Sequence, residues 1–254
     1  MNDFIQFLNS HVSVRNFTEK QISPEDEQTI ITTAQRSPTS SNLQAYSIIG
    51  IRSLETKQTL ARLAGNQQHV ADSSLFLIFC ADMNRLKFLN HQKQYEFHGD
   101  YTEMFIIATV DAALAACRAL TAAQALGMGG VMVGGIRNHP DEVGSLLGFP
   151  ELVYPVMGMS LGYPEKKLPV KPRLDIKAVY HKERYTTAGL EKLVEEYDHV
   201  IDSVGYLKGR EVDIEKYPDF SGLYSWSEHT ARRMAKISRP HMKTYLESQG
   251  FLKK

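Results

Sequence analysis

Cysteine is scarce in this sequence, and neither sign of charge is in excess. The 254 residues include two cysteines, Cys80 and Cys117, both in apolar surroundings where we expect inert, buried thiols. Their number and spacing exclude a disulfide scaffold and match no metal-site pattern, so we expect no metal, and the composition suits a reducing cytoplasm. Lysine plus arginine number 29, as do aspartate plus glutamate. This balance gives no global field that would attract nucleic acid or anionic lipid, so any anion needs a local cluster of cations.

We expect no secretory leader, because Met1 to Phe4 has no basic residue, and we expect a cytoplasmic protein. One stretch, Met104 to Leu126, resembles a membrane span. It contains Asp111 and Arg118, which are seven residues apart and hence on one helix face, and charges are costly in lipid. Its many alanines favour close helix packing. We predict a buried central helix or a dimer-interface helix, with no membrane association.

The pattern elsewhere predicts alternating helices and strands. Ser23 and Pro24 begin a helix that ends before Pro38. The apolar run Leu75–Ala81 predicts a buried central strand. The C-terminal third is helical apart from a loop over 206–222, and Ser225 to Glu228 has the pattern of a helix cap.

A short basic segment near the start is the first candidate site. If it is extended, His11, Ser13 and Arg15 lie on one face and Val12 and Val14 lie on the other. A hydroxyl, an imidazole and a forked guanidinium together suit a phosphate group. Lys171 and Arg173, which flank a proline further along, could complete such a site. The alternatives are a surface strand for the first segment and a solvated loop for the second.

Two uncharged polar segments could contact a ligand. The loop 37–44 is longer than a turn requires and leads into the predicted strand Tyr46–Ile51. The segment 66–69 is rich in amides, which both donate and accept hydrogen bonds, as the edge of a heterocycle requires. Ordinary turn chemistry and a plain helix exit are the respective alternatives.

The glycine-rich segment 127–135 does not have the dinucleotide-binding fingerprint. Met132 stands where the third glycine should be, and the segment leads from a helix into a strand rather than the reverse. Gly134 and Gly135 at the strand end instead suggest a close approach of the backbone to a flat ligand. A bulge or a sharp strand exit is the alternative.

Seven segments occur in an order that matches one family over nearly the whole chain. They are His11-x-Ser-x-Arg15, the loop 37–44, Ala-Gly-Asn-Gln at 64–67, Phe-Cys-Ala-Asp at 79–82, Gly-Gly-Ile-Arg-Asn at 134–138, Lys-Pro-Arg at 171–173 and Trp-Ser at 226–227. Together they resemble the FMN-dependent nitroreductase superfamily. The resemblance is strongest to its NADPH-preferring branch of oxygen-insensitive nitroreductases and flavin reductases.

The resemblance implies an α+β fold, with a mixed sheet flanked by helices and an intertwined homodimer that binds FMN at the subunit interface. It implies one domain over 1–254 whose helical extension, from about 186 to 254, wraps the body and the partner. It also implies ping-pong chemistry, in which NADPH, with NADH as the alternative reductant, passes hydride to flavin N5 and leaves. A small electron acceptor, such as a nitroaromatic, a quinone or free flavin, then takes the same slot.

The resemblance also implies roles for individual residues. His11, Ser13, Lys171 and Arg173 would hold the FMN phosphate, and Arg15 would lie near flavin N1 and O2. Gln67 and its neighbours would bind the pyrimidine or ribityl edge, the strand 132–135 would offer an N–H to N5, and the Thr39 loop would come from the partner. The implied cofactor contacts are His11, Val12, Ser13, Val14, Arg15, Thr39, Ser40, Ser41, Gln67, Gln68, His69, Met132, Val133, Gly134, Gly135, Lys171 and Arg173.

The chain departs from the family pattern in two places. Val12 stands where this branch usually has a second arginine, and the loop 206–222 is longer. We expect Lys208 or Arg210 to bind the 2′-phosphate of NADPH and Arg239 to line the acceptor slot. No side chain is predicted to be catalytic, because the flavin carries the chemistry. The alternative function is an FMN-binding protein for storage or sensing, with little turnover.

Overall fold

The computed structural model describes residues 2–254, except for the side chain of Ile214, and shows ten helices and four strands in that range. The helices are α1 (Asp3–Asn9), α2 (Pro24–Ala34), α3 (Leu54–Leu63), α4 (Gln68–Asp72), α5 (Asn84–Lys93), α6 (Thr102–Ala125), α7 (Pro140–Leu147), α8 (Leu190–Ser203), α9 (Trp226–Met234) and α10 (Met242–Ser248). The strands are β1 (Tyr46–Ile51), β2 (Leu75–Asp82), β3 (Gly129–Val133) and β4 (Val153–Gly162). Short 3-10 turns occupy Ser40–Asn42, Gly134–Arg137, Ile176–Ala178 and Ile214–Lys216.

The described chain divides into two compact units. The first unit contains the chain up to Pro169 together with Arg239–Lys254, and the second unit is Val170–Ser238. The final helix, α10, therefore belongs to the first unit although it follows the second unit in sequence.

The sheet lies in the first unit, with strand order β1-β2-β4-β3. The predicted α+β class is confirmed, but all three strand pairs are antiparallel, whereas the family resemblance implies a mixed sheet. Within residues 2–254, the only parallel pairing is the isolated bridge between Ser13 and Gly130. The segment around Ser13 makes this one bridge and no continuous ladder, so it is not a fifth strand.

The predicted buried central strand is confirmed as β2, which pairs on both sides and is buried throughout. Its side chains alternate between two cores. Leu77 and Phe79 pack with buried residues of α2 and α6, whereas Phe76 and Ile78 pack with those of α3, α4 and α7. Because helices cover both faces of the sheet, β2 has no polar face and its sequence is continuously apolar.

The predicted central helix is confirmed as α6, and its buried alanines pack in the first of these cores. By length and composition alone it could cross a membrane, and within residues 2–254 it is the one helix of that kind. Asp111 is buried but Arg118 is exposed, although helical spacing places both on one face. The expectation for the cysteines is half wrong: Cys80 is buried, whereas Cys117 on α6 is exposed. Asp111 and Arg118 show that the covering of α6 changes along its length.

In the second unit, α8 positions the start of α9. The predicted helix start at Ser225 is correct, but its hydroxyl does not cap the helix. It donates instead to the backbone oxygen of Asp198 at 2.6 Å. The Asp198 carboxylate accepts from the N–H of Ser227 at 2.8 Å and so caps α9 from a neighbouring helix.

Candidate functional site

The first candidate segment lies along the start of β3. Ser13 forms its bridge with Gly130, and the N–H of Val14 donates to the Gly130 oxygen at 3.0 Å. A side-chain carbon at Gly129 would lie 2.5 Å from Val14, so glycine is needed there for the close approach. Val14 is buried and Arg15 is exposed, as alternation predicts. Val12, however, is only half-buried, like His11 and Ser13, because the segment makes a single bridge at Ser13 and is not part of a continuous strand.

His11 is tied to the last turn of α6. Its Nδ1 lies 3.0 Å from the amide nitrogen of Gln124. An amide nitrogen can only donate, so Nδ1 accepts, and in a neutral ring the proton is on Nε2. Gln124, which the sequence analysis does not single out, therefore fixes the imidazole that the resemblance assigns to a phosphate.

The amide-rich segment 66–69 leads into α4, and two of its side chains, Gln67 and His69, are half-buried. Gln67 Oε1 lies 3.0 Å from His69 Nε2, and His69 Nδ1 lies 3.0 Å from the hydroxyl of Ser160 on β4. Burial first, and then the charge of Arg15, lower the pKa of His69. The charge of Arg15 thus links the basic segment electrostatically to the segment 66–69. Gln68 differs from both, since it is exposed and its amide donates to Asp72 at 2.8 Å.

Met132 and Val133 are the last two residues of β3, and Gly134 and Gly135 begin the 3-10 turn that follows it. A side-chain carbon at Gly135 would lie 2.2 Å from the Ala64 oxygen and 2.4 Å from Gln67 Nε2. Glycine is therefore needed at 135 for this close approach of the protein's own backbone, and at Gly134 an added side-chain carbon would meet the guanidinium of Arg137 at 3.4 Å. The contact of Gly134 and Gly135 with a flat ligand stays a prediction.

Arg239 belongs to the first unit and lies beside this turn. Its Nε donates to Asn138 Oδ1 at 2.9 Å, and its charge, after burial, lowers the pKa of Arg137. Arg137 in turn donates to the backbone oxygen of Val156. Val156 lies at a register shift of β4, where it has no partner on β2, so its oxygen is free to accept. Two guanidiniums thus lie close together near the end of β3.

The loop 37–44 is held by one carboxylate. Asp111 accepts from the N–H of Ser40 and from that of Ala45, each at 3.1 Å. Between these anchors, Ser41, Asn42 and Gln44 have φ of 47°, 56° and 53°. Side chains disfavour this left-handed region, so the loop is held in a constrained shape that exposes Ser40 and Ser41 and half-buries Thr39.

This loop and the His11 segment contact α6 at well-separated points. The loop contacts Asp111 and His11 contacts Gln124. At 1.5 Å of rise per residue, these positions are about 20 Å apart along the helix. The separation is compatible with the prediction that Thr39, Ser40 and Ser41 serve a partner's site, which stays a prediction.

The remaining predicted cations lie in the second unit. Lys171 Nζ is 4.6 Å from the centre of the Tyr206 ring, and the guanidinium of Arg210 is 5.1 Å from the same centre. Arg173 is exposed and donates to the Pro172 oxygen at 3.3 Å. Lys208 lines a cavity of about 370 Å³ together with acidic residues, among them Glu211. The structure thus groups Lys171 with Arg210, which the resemblance assigns to different phosphates.

Within residues 2–254, no group of three or more His, Cys, Asp or Glu side chains could hold a metal ion. The polar cluster in the first unit is instead made of a guanidinium, imidazoles, an amide and hydroxyls. Arg15 forms no salt bridge with another described residue, so its charge is available to an anion. This donor set fits an anionic, heterocyclic ligand better than it fits a cation.

Two family models together match almost the whole chain. The model described as the nitroreductase family matches residues 8–163, and that of the nitroreductase family, C-terminal domain, matches residues 171–254. The chain belongs to the nitroreductase family. The two matched ranges end and begin close to the boundary at Val170 between the two units.

Named relatives cover this nitroreductase from end to end. It is 36% identical over 254 residues to the NADPH-flavin oxidoreductase of Vibrio harveyi, with 100% of both chains covered. It is 35% identical over 251 residues to the oxygen-insensitive NADPH nitroreductase of Salmonella typhimurium, with 99% of both covered. The solved NfrA1 nitroreductase of B. subtilis aligns with a TM-score of 0.90 at 33% identity, over 99% of this chain and 100% of that one.

Three residues of this nitroreductase that shape the candidate site were missed in the sequence. Asp111 was considered only as a charge in an apolar helix, Ser160 is a lone serine within a buried strand, and Gln124 is one polar residue in a helix of alanines. Each is a polar side chain in an apolar element. Such a residue needs a partner when it is buried, and this is the signal that could have identified Asp111 and Ser160.

Proposed function

We propose that this protein is an FMN-dependent oxidoreductase that takes hydride from NADPH and reduces a small acceptor. Acceptors of this kind include free flavin, nitroaromatics and quinones. The proposal is supported by family membership and by the printed names of relatives, which include NADPH-flavin oxidoreductase and oxygen-insensitive NADPH nitroreductase. We further propose ping-pong kinetics, in which NADPH and the acceptor use one slot in turn.

One observation carries the proposal: three segments that are far apart in sequence meet in the first unit. Ser13 bridges to β3, Arg15 acts on His69, and Gln67 packs against Gly135 at the exit of β3. They bring a cation, a hydroxyl and an amide together, which suits the phosphate, the ring edge and the negative charge of a flavin nucleotide. When bound, FMN supplies the hydride-transfer chemistry.

The protein's own groups then bind and orient. Arg15, exposed and without a carboxylate partner, stabilises negative charge on the ring system. His11 offers its Nε2–H to the phosphate because Gln124 occupies its Nδ1. From the family resemblance we also propose Lys171 and Arg173 as cations for the phosphate, and Lys208 or Arg210 as the residue for the NADPH 2′-phosphate.

We also propose that the protein is a homodimer in the cytoplasm. Apolar side chains on α1 and α6 are exposed in the single chain, including Phe4 at 62%, Val110 at 48% and Leu114 at 38%. A cavity of about 600 Å³ lined by Phe4, Leu114 and Cys117 lies between these helices. A second copy on this face would cover it, and the loop that Asp111 holds would reach the partner's site.

FMN storage or sensing without turnover is not favoured, because the similar curated relatives carry the names of reductases. The experiment that tests the proposal separates the two functions. Purified protein is reconstituted with FMN, and NADPH is added anaerobically while the flavin absorbance near 450 nm is followed. The proposal expects bleaching within seconds and recovery on adding a quinone or nitroaromatic. Failure to bind FMN, or binding without bleaching, contradicts it.

Two further measurements complete the test. Initial rates with varied NADPH and acceptor should give parallel double-reciprocal lines, whereas intersecting lines would exclude ping-pong order. Light scattering coupled to size-exclusion chromatography should give twice the monomer mass of 28.7 kDa. A monomeric protein that still reduces the acceptor would contradict the proposal that two copies share the site.

A further inference from the structure

A buried serine is connected through His69 to the side-chain amide of Gln67. Ser160 is fully buried on β4, and its hydroxyl lies 3.0 Å from His69 Nδ1. His69 Nε2 lies 3.0 Å from Gln67 Oε1, and Gln67 Nε2 donates to the Ala64 oxygen at 2.7 Å. These four groups form one hydrogen-bonded chain that runs from the core to the surface, where Gln67 is half-buried.

The direction of every bond in this chain follows from its last member. The Ala64 backbone oxygen can only accept, so the nitrogen of the Gln67 amide must face it. The amide oxygen then faces His69, which must donate from Nε2. In the neutral ring with its proton on Nε2, Nδ1 carries a lone pair and can only accept, so the Ser160 hydroxyl must donate to it. Burial and the Arg15 charge, which lower the pKa of His69, favour the neutral ring.

We propose that Ser160 is a positioning residue for the cofactor: it fixes the tautomer of His69 and thereby the orientation of the Gln67 amide. One N–H and one oxygen lone pair of the fixed Gln67 amide take no part in these hydrogen bonds. Those two groups are what a ring edge with adjacent acceptor and donor atoms, such as a flavin pyrimidine, requires. This inference rests on the proposed function, since it supposes that FMN binds beside Gln67.

The surroundings leave the amide little freedom to turn. Gln67 Nε2 lies where a side chain at Gly135 would clash, at 2.4 Å, so the 3-10 turn after β3 closes over it. Without the Ser160 hydroxyl, His69 would lose the partner that holds its lone pair. The ring could then carry its proton on Nδ1, which turns a lone pair towards the oxygen of Gln67 and repels it.

The test combines a cofactor measurement with one that needs no cofactor. In FMN-free protein, nitrogen chemical shifts of His69 should report the Nε2–H tautomer, and Ser160→Ala should shift its population. FMN affinity, followed by quenching of flavin fluorescence, should fall about five- to tenfold in Ser160→Ala, the size expected for one lost hydrogen bond. Ser160→Thr, which keeps the hydroxyl, should restore most of the affinity.

A double-mutant cycle distinguishes positioning from general loosening of the core. In a Gln67→Ala background, Ser160→Ala should have no further effect on FMN affinity, because its effect passes through the amide. Ser74→Ala is the control, because it removes another buried hydroxyl, which accepts from the N–H of Ile22 at 2.7 Å and does not belong to the hydrogen-bonded series of Ser160, His69 and Gln67. It should leave FMN affinity unchanged. If Ser160→Ala does not fold, His69→Gln replaces it as the first variant of the cycle.

The outcomes separate the two proposals. Suppose that unaltered protein binds FMN and that Ser160→Ala has the same FMN affinity and the same His69 tautomer population. This result overturns only the role of Ser160. An equal effect of Ser160→Ala with and without Gln67 does the same. Unaltered protein that binds no FMN overturns the proposed function and, with it, this inference.

Discussion

The buried carboxylate of Asp111 bonds two backbone N–H groups that stand five residues apart, those of Ser40 and Ala45, each at 3.1 Å. Three residues with positive φ lie between these two points. A single side chain of α6 thus holds both ends of an exposed loop whose shape is costly for its own residues. This arrangement allows the loop to keep one conformation before any ligand or partner arrives.

Asp111→Asn should therefore destabilise the protein by about 1–3 kcal/mol, because one of the two N–H groups that bond the buried carboxylate loses its acceptor. The free energy of unfolding from urea titrations measures the loss. Hydrogen exchange at the amides of Ser40 and Ala45 should also accelerate. Arg118→Ala, at an exposed site on the same helix, is the control and should change neither quantity. Unchanged exchange at both amides would contradict the loop-holding role.

Arg15→Ala should weaken FMN binding roughly ten- to hundredfold, which is the range for a lost charge-assisted hydrogen bond. It should also raise the pKa of His69, because the Arg15 charge is one of the causes that lower it. The second effect is measured by NMR titration of FMN-free protein. Arg36→Ala removes an exposed cation elsewhere in the first unit and serves as the control. If neither quantity changes, Arg15 does not face the site.

Arg210→Ala should raise the KM for NADPH by about tenfold and leave that for NADH nearly unchanged, since only NADPH carries the 2′-phosphate. Lys208→Ala should act in the same direction. Steady-state kinetics with both nucleotides measure the difference, and Lys216→Ala in the same loop is the control. Equal increases for both nucleotides would place the two cations outside the 2′-phosphate site.

Arg232→Lys should loosen the loop 206–224 of the second unit. The buried guanidinium lies 4.5 Å from the Tyr217 ring centre and 4.9 Å from that of Phe220, and it donates to Glu228 at 2.6 Å. Lysine keeps the charge but cannot stack or fork in this way. Limited proteolysis should cut the loop several-fold faster than in unaltered protein. Arg233→Lys, at the exposed neighbouring position, is the control, and its loop should be cut at the same rate as in unaltered protein.

Burial lowers the pKa of Lys57, whose ammonium donates to the backbone oxygen of Ser73. The folded protein therefore binds fewer protons at this site than the unfolded chain does, between the lowered pKa and the ordinary value of 10.5. Across that window the contribution of Lys57 to stability rises with pH. The free energy of unfolding of unaltered protein should accordingly increase relative to that of Lys57→Met as pH rises towards 10.5. A difference that is flat with pH, as expected for Lys93→Met at an exposed site, would contradict this.

Much of the fold could be predicted because local patterns report local burial. The continuous run of β2 indicates a strand covered on both faces, the cap at Ser23 indicates the start of α2, and the alanines of α6 indicate a helix in close contact with its neighbours. The antiparallel pairing of the whole sheet was not predictable in this way. Whether strands run parallel depends on the paths of the connecting segments, which no local pattern records.

The sequence by itself determined the family, the order of its motifs and the types of group available for an anionic, flat ligand. Only the tertiary structure decided which groups meet: Ser160 with His69 across 91 residues, Asp111 with both ends of a loop, and Ala64 with Gly135 at the exit of β3. The physical reason is that a polar group buried among apolar neighbours must find a partner. Which partner it finds depends on distances that only the folded chain sets.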